Sequence, residues 1–223
     1  MEEISSNVIC QFLEASIHHI LWRRELYPEV IFASRLAFSV PIKASVHPEV
    51  NAYISKSLTC FRDILNRPNI TVQGIDLIIL DDKEDVVEKY IFQMSRLRCI
   101  PHYHQRLPEP EIADEKLNIV YEIPSAVRNL FRNCLLKLTH RVSELPSLDF
   151  AQNHSFNMEI HLSENGEEFL AQNHVDVPWL KKENISILPL INKVTRTLPV
   201  FRDEDPFHLE VFIDLITPNH HEF

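Results

Sequence analysis

Only two glycines, Gly74 and Gly166, stand against 14 prolines in this chain of 223 residues. A phosphate-cradling loop or a dinucleotide fingerprint needs several glycines close together, because the backbone there must bend tightly and approach the ligand with no Cβ in the way. Neither glycine has a second one near it. Nucleotide binding through a known glycine-rich loop is therefore excluded.

Charge excludes a second class. The chain carries a formal net charge of −10, and its nearest approaches to a basic patch are Arg23-Arg24 and Lys181-Lys182. A protein that grips DNA displaces counterions with a stripe of Lys and Arg. Any work on DNA should therefore run through a partner rather than by direct contact. Hydrophobic residues make up 45% of the chain, enough for a real core, and the length favours one domain. No apolar run approaches the ~20 residues that span a bilayer. The start, with Glu2 and Glu3, is acidic where a signal peptide is basic. These features predict a soluble chain of the nucleus or cytosol. Cys10, Cys60, Cys99 and Cys134 show no C-x-x-C spacing and read as reduced thiols.

Hydrophobic periodicity gives the elements. Val8, Ile9, Phe12, Leu13, Ile17, Ile20 and Leu21 form the stripe of an amphipathic helix within 5–27, closed by Tyr27-Pro28. Residues 36–45 read as one extended segment, with Pro41 pointing to an edge position. Pro48 suits the first turn of a second helix, whose stripe runs from Val50 through Tyr53, Ile54, Leu58 and Phe61 to Leu65. Residues 70–80 and 86–95 are β-rich, and the acidic stretch Asp81-Asp82-Lys83-Glu84-Asp85 between them reads as a solvated hairpin turn rather than a metal site. A loop or insertion occupies 96–118. A third helix follows Pro124, with Val127, Leu130, Phe131, Cys134, Leu135, Leu138, Val142 and Leu145 on one face. A strand follows at 154–163, then Gly166. Periodicity is weak from 164 to about 206, a last strand spans 208–216, and 217–223 is a polar tail. The expected fold class is α+β, with three helices packed on a mainly antiparallel sheet, as a single domain over 6–216.

Candidate catalytic chemistry is sparse. His18 and His19 are adjacent on a helix and point about 100° apart, so they cannot chelate one ion as an i, i+4 pair does. Cys99, His102 and His104 in the loop match no standard zinc spacing; a metal-dependent hydrolase built on those histidines is the reading of another class. No metal, no cofactor and no catalytic residue is assigned, and the chain reads as a non-enzyme.

Several segments in order resemble the HORMA-domain family. They are the stretch 12–28 with Ile31-Phe32, the segments 40–42 and 47–54, the hairpin strands 78–81 and 87–92, Pro178-Trp179-Leu180, and Leu188-Pro189-Leu190. Together they cover about 6 to 215, and several match the family's DNA-polymerase-subunit branch more closely than its spindle-checkpoint branch. That resemblance implies a non-catalytic adaptor with a core over about 6–163 and a C-terminal "safety belt" over about 164–216. The belt would trap a partner's extended peptide against a sheet edge by β-augmentation. A stretch that must detach and rewrap suits the weak periodicity seen there. The polymerase branch implies a proline-containing peptide of the catalytic subunit of DNA polymerase zeta as the ligand. It implies peptide contacts from Tyr53, Trp179 and Tyr27. It further implies a surface for a deoxycytidyl-transferase translesion polymerase at Ile187, Glu210 and Phe212, where the family commonly has an amide and a tyrosine at the last two positions. Arg132 corresponds to an arginine used in HORMA homodimers. A AAA-type remodelling ATPase is a further implied partner, neither direct nucleic-acid nor membrane binding is implied, and the expected location is the nucleus. A spindle-checkpoint or meiotic HORMA adaptor is the alternative within the same family.

Overall fold

The computed structural model describes residues 4–68, 70–94, 99–100, 123–148, 153–166, 193–203 and 208–218. They fall into two compact units: Met1–Pro68 with Leu97–Leu148, and Asn69–Arg96 with Asp149–Phe223. The elements are β1 (Ile4–Ser5), α1 (Ser6–Arg23), a 3-10 turn (Glu29–Ile31), β2 (Phe32–Ala37), β3 (Val40–Ser45), α2 (Pro48–Leu65), β4 (Val72–Leu80), β5 (Val86–Gln93), β6 (Cys99–Ile100), α3 (Ser125–Ser143), β7 (Ser155–Leu162), β8 (Lys193–Arg202) and β9 (Glu210–Pro218). The expected α+β class is what forms. No helix among the described residues is long and apolar enough to cross a membrane.

The first unit is built on its three helices. Ser5 caps α1 by accepting the Asn7 amide on Oγ, and Pro48 opens α2 where a missing N–H costs nothing. The stripes read from sequence are the faces that become buried: Val50, Ile54, Leu58, Phe61 and Ile64 on α2, and Val127, Leu130, Phe131, Cys134, Leu135, Leu138 and Val142 on α3. Phe12 of α1 and Phe131 of α3 stack with ring centroids 4.4 Å apart, and Phe38 meets both edge-on at 6.4 and 5.2 Å.

Phe38 also explains a difference from the sequence reading. The single extended segment expected over 36–45 is instead the second half of a hairpin, β2–β3, turning at Phe38-Ser39. Both turn residues have positive φ, 48° and 62°, as a two-residue type I′ turn requires. Such turns normally carry Asn-Gly or Asp-Gly, and this chain has no glycine there. The Phe38 ring contacts offset the strain of the left-handed backbone.

The β2–β3 hairpin is held to α1 by the two adjacent histidines. Val46 donates its amide to the Ile31 carbonyl across the hairpin, so by strand alternation the amides of Lys43 and Ser45 point away from β2. There His18 Nδ1 accepts the Ser45 N–H at 3.3 Å, and His19 Nδ1 accepts the Lys43 N–H at 3.4 Å. Consecutive helical residues diverge, and that divergence lets them reach two amides spaced about 7 Å apart along one strand edge. Both imidazoles must be neutral to accept. Burial pushes each pKa down to about 4, and for His19 the nearby Arg23 charge adds to the effect.

The second unit is a five-stranded antiparallel sheet in the order β7-β4-β5-β9-β8. Central strand β4 is buried on both faces from Gly74 to Ile79. On β5, the buried Tyr90 donates its hydroxyl to Glu88 Oε2 at 2.8 Å. Gly74 serves close approach rather than a turn: a Cβ there would collide with the carbonyl oxygen of Phe92 in β5. Strand β8 is the main departure from expectation, since 193–202 falls in the stretch read as irregular. Most of its side chains are exposed and it contains Pro199, so neither alternation nor composition marks it; pairing with β9 along its whole length makes it a strand. Strand β9 also takes in Thr217 and Pro218, which the sequence reading assigned to the tail.

Two outcomes follow for stability. The histidine pKa values lie below the unfolded value near 6.5, so their contribution is complete above pH 6.5 and is lost as pH falls towards 4. At full extent each histidine accounts for roughly 3 kcal/mol. Thermal melts between pH 7.5 and 5 should show this loss, and it should be much reduced in His18→Gln/His19→Gln; an unchanged slope would contradict the clamp. Gly74→Ala should lower stability by about 1–3 kcal/mol in urea melts, through overpacking against the β5 backbone.

Candidate functional site

The sheet has two edges of unequal character. On β8, Pro199, a register shift between Pro199 and Phe201, and the charges of Lys193, Arg196 and Arg202 all blunt the edge. Strand β7 carries no proline. It alternates Phe156, Met158, Ile160 and Leu162 with Ser155, Asn157, Glu159 and His161, and among the described residues it pairs only with β4. An extended segment joining this sheet by main-chain hydrogen bonds would find its regular template at β7.

These two edges are also joined by the chain itself. Strand β8 is the next described strand after β7, and in the sheet β4, β5 and β9 stand between them. Four inter-strand spacings separate the two, about 19 Å. Residues 167–192, which connect them, lie outside the described residues.

Beside the β7 edge is a polar cluster that the sequence did not reveal. Asp76 of β4 is almost fully buried, and its Oδ2 lies 2.6 Å from Lys89 Nζ of β5 and 2.6 Å from His161 Nε2 of β7. Glu159, the register partner of Asp76, lies 4.0 Å from the same ammonium. Asp76, Glu159 and His161 could together offer ligands to a metal, each bringing one ligand atom within 4.8 Å of the others. The Lys89 ammonium already stands at the shared oxygen, where it supplies the cation that two facing carboxylates need. Asp76 Oδ1 is buried without a hydrogen-bond partner. The available signal was a lone Asp inside the apolar run Ile75 to Leu80, but its partners sit on two other strands.

The residues expected at the site fall as follows. Tyr27, just past α1, is half-buried, and Tyr53 projects from the second turn of α2, 40% exposed. Burial raises the Tyr27 pKa, and the Tyr53 phenol raises it further. Arg24 is buried at the end of α1 and donates from Nη2 to the Pro146 carbonyl at 2.8 Å, fixing the turn that leads to Tyr27. Trp179 and Ile187 lie outside the described residues, as do His102 and His104; only the backbone of Cys99 is described, in β6. Glu210 and Phe212 share one face of β9, opposite the buried Val211 and Ile213. Phe212 stands between Ile91 and Pro199 in register, while Glu210 Oε1 pairs with Arg202 Nε at 2.8 Å. Arg132 is exposed on α3.

Known proteins agree with this architecture. The model of the HORMA domain family matches residues 5–183. A human protein named mitotic spindle assembly checkpoint protein MAD2B is 37% identical over 94 residues, covering 42% of this chain and 44% of that protein. The match to the bovine protein of the same name likewise spans under half of its length, 46%. A Drosophila melanogaster protein named DNA polymerase zeta subunit 2 is 24% identical over 207 residues, covering 91% of this chain and 93% of the relative. Among solved structures, a chain of the mitotic checkpoint complex superposes with a TM-score of 0.64 at 16% identity, covering 96% of this chain and 98% of that one. The C. elegans protein HTP-2 bound to the HIM-3 closure motif superposes with a TM-score of 0.59 at 10% identity, covering 96% and 90%. Those two likenesses speak to the fold alone. The family model spans most of the chain, and the chain belongs to the HORMA domain family.

Proposed function

We propose that this chain is a non-catalytic adaptor that clamps a proline-containing peptide of the catalytic subunit of DNA polymerase zeta, in support of translesion DNA synthesis. The observation that carries the reading is the placement of β7 and β8 at opposite sheet edges. Among the described residues β7 pairs only with β4, and about 19 Å of sheet separates it from β8. In this reading the core is 6–163 and the safety belt 164–216, with the β8–β9 hairpin as the docked end of the belt. The peptide adds to β7 while the belt crosses over it. Escape then waits on the belt's opening, so dissociation is slow for topological reasons more than for contact area.

Tyr27 and Tyr53 are the described part of the peptide contact, two phenols suited to packing on proline rings, and Trp179 completes it from the belt. The full-length likeness to a relative named as a polymerase zeta subunit supports the choice of ligand. Ile187, Glu210 and Phe212 form the surface assigned to a deoxycytidyl-transferase polymerase. At Glu210 a carboxylate engaged by Arg202 stands where the family has an amide, so that contact is reshaped. Arg132 serves a HORMA homodimer, a AAA-type ATPase opens the belt, and the site of action is the nucleus.

The name carried by the human and bovine relatives, mitotic spindle assembly checkpoint protein, favours a second reading, a checkpoint or meiotic adaptor with the same clasp. Affinity capture from nuclear extract separates the two, because the recovered client is either a B-family polymerase or a checkpoint protein. On the first reading, Trp179→Ala and Tyr53→Ala should each weaken capture of the synthetic polymerase peptide by at least ~30-fold, as for aromatic anchors generally. Circular dichroism should be unchanged, and undiminished binding by both variants would refute the proposed contact.

A further inference from the structure

The acidic turn between β4 and β5 does more than meet solvent. Asp81 Oδ1 accepts the amides of Lys83 and Asp85, both at 2.9 Å, and the Asp81 amide donates to the Asp85 carbonyl at 3.0 Å. Glu84 takes a left-handed conformation, with φ 64°, to let the chain close this loop. The turn is thus a preformed frame that holds Asp85 in place. From it, Asp85 Oδ1 reaches Lys193 Nζ, the first residue of β8, at 2.7 Å.

The position of that ion pair gives it meaning. The β9 ladder to β5 stops at Leu215 opposite Glu88, while the β9 ladder to β8 continues to Pro218 opposite Lys193. At its open end, therefore, the β8–β9 hairpin continues for three residues of β9, Ile216, Thr217 and Pro218, past its last ladder pair with β5. An end without ladder pairs is where a hairpin begins to peel, since no ladder bonds to β5 resist the first step. That end lies beside the 81–85 turn, and Lys193 there is only 19% exposed. Because the frame holds the carboxylate beforehand, pairing has only the lysine side chain to order, and the interaction keeps more of its Coulombic gain than a free surface pair does.

We propose that Asp85 anchors the open end of the C-terminal hairpin, and that its ion pair with Lys193 governs how readily β8–β9 leaves β5. The proposal deepens the clasp reading, on which the hairpin must detach for a partner to exchange. The opening of the hairpin can nonetheless be measured with no partner present.

The test is hydrogen exchange with mass spectrometry on the full chain, comparing Asp85→Asn, Lys193→Met and the exchanged pair Asp85→Lys/Lys193→Glu. Each single variant should speed exchange of the β9 amides about two- to fivefold and leave those of β4 and β7 unchanged. Raising NaCl from ~0.05 to ~0.5 M should do the same to the parent and little to the single variants, because screening removes what the substitutions remove. The exchanged pair should return β9 to within about twofold of the parent. Unchanged β9 exchange in the single variants, a rise spread evenly over the sheet, or no recovery in the exchanged pair would each overturn the anchor. Dissociation of the synthetic polymerase peptide is then timed on the same variants. A localised opening that leaves peptide release untouched upholds the anchor and counts against the clasp.

Discussion

The proposed clasp depends on one topological constraint: β7 and β8, consecutive among the described strands, occupy the two opposite edges of the sheet. Antiparallel neighbours in sequence normally pair directly through a short turn. Here the next described strands, β8 and β9, dock instead on β5 at the other side of the sheet. The central strands β4 and β5 accept neighbours on both flanks because they form a hairpin whose outer edges are both open. Strand β7 satisfies one flank and β9 the other. Strand β7, which among the described residues pairs only with β4, is then the natural addition site, since β8 carries its own proline, bulge and charges.

Glycine scarcity, the first thing visible in the sequence, runs through the structure in a second way. The left-handed positions among the described residues are taken by Glu25, Phe38, Ser39, Glu84 and His208, and by no glycine. Each costs on the order of 1 kcal/mol over glycine in that conformation. The local context offers compensation in at least three of these places. Glu25 closes α1, donating its amide to the Trp22 carbonyl, with Leu26 reaching back to Leu21. Phe38 spends its strain on ring contacts with Phe12 and Phe131. Glu84 completes the frame that holds Asp85. A chain that avoids glycine still needs tight turns, and it places them where another interaction holds the backbone.

What was legible in the sequence follows the same logic. The three helices were readable because their burial is periodic and local: the stripe from Val127 to Val142 is the buried face of α3. The β4–β5 hairpin was readable from its apolar runs and polar turn. The β2–β3 hairpin was not, because Phe38-Ser39 carries no turn signature and its geometry is stabilised by rings on two distant helices. Strand β8 was not, because most of its side chains are exposed and it owes its conformation to β9. At the site, Tyr27 and Tyr53 are named from family resemblance, and the effect of one phenol on the other emerges only once α1 and α2 are in place. The roles of His18, His19 and Asp76 were hidden because their partners are main-chain amides or side chains on other elements.

The hairpin that the clasp reading asks to move is firmly held. Leu209, Val211 and Ile213 have no exposed surface, and removing a buried aliphatic side chain from its packing costs roughly 2 kcal/mol. Three such residues put the detached state near ~6 kcal/mol, a population on the order of one molecule in ten thousand before the β5 ladder is considered. Lys193 and Asp85 adjust that figure by a few-fold at most. A belt with these properties would hold its peptide for long periods and exchange it rarely when left to thermal motion. Rapid turnover in such an adaptor calls for an external source of work, the role that the proposed AAA-type ATPase would fill. On the clasp reading, the strength with which Val211 and Ile213 are buried, more than any single peptide contact, then decides between a permanent subunit joint and a regulated switch.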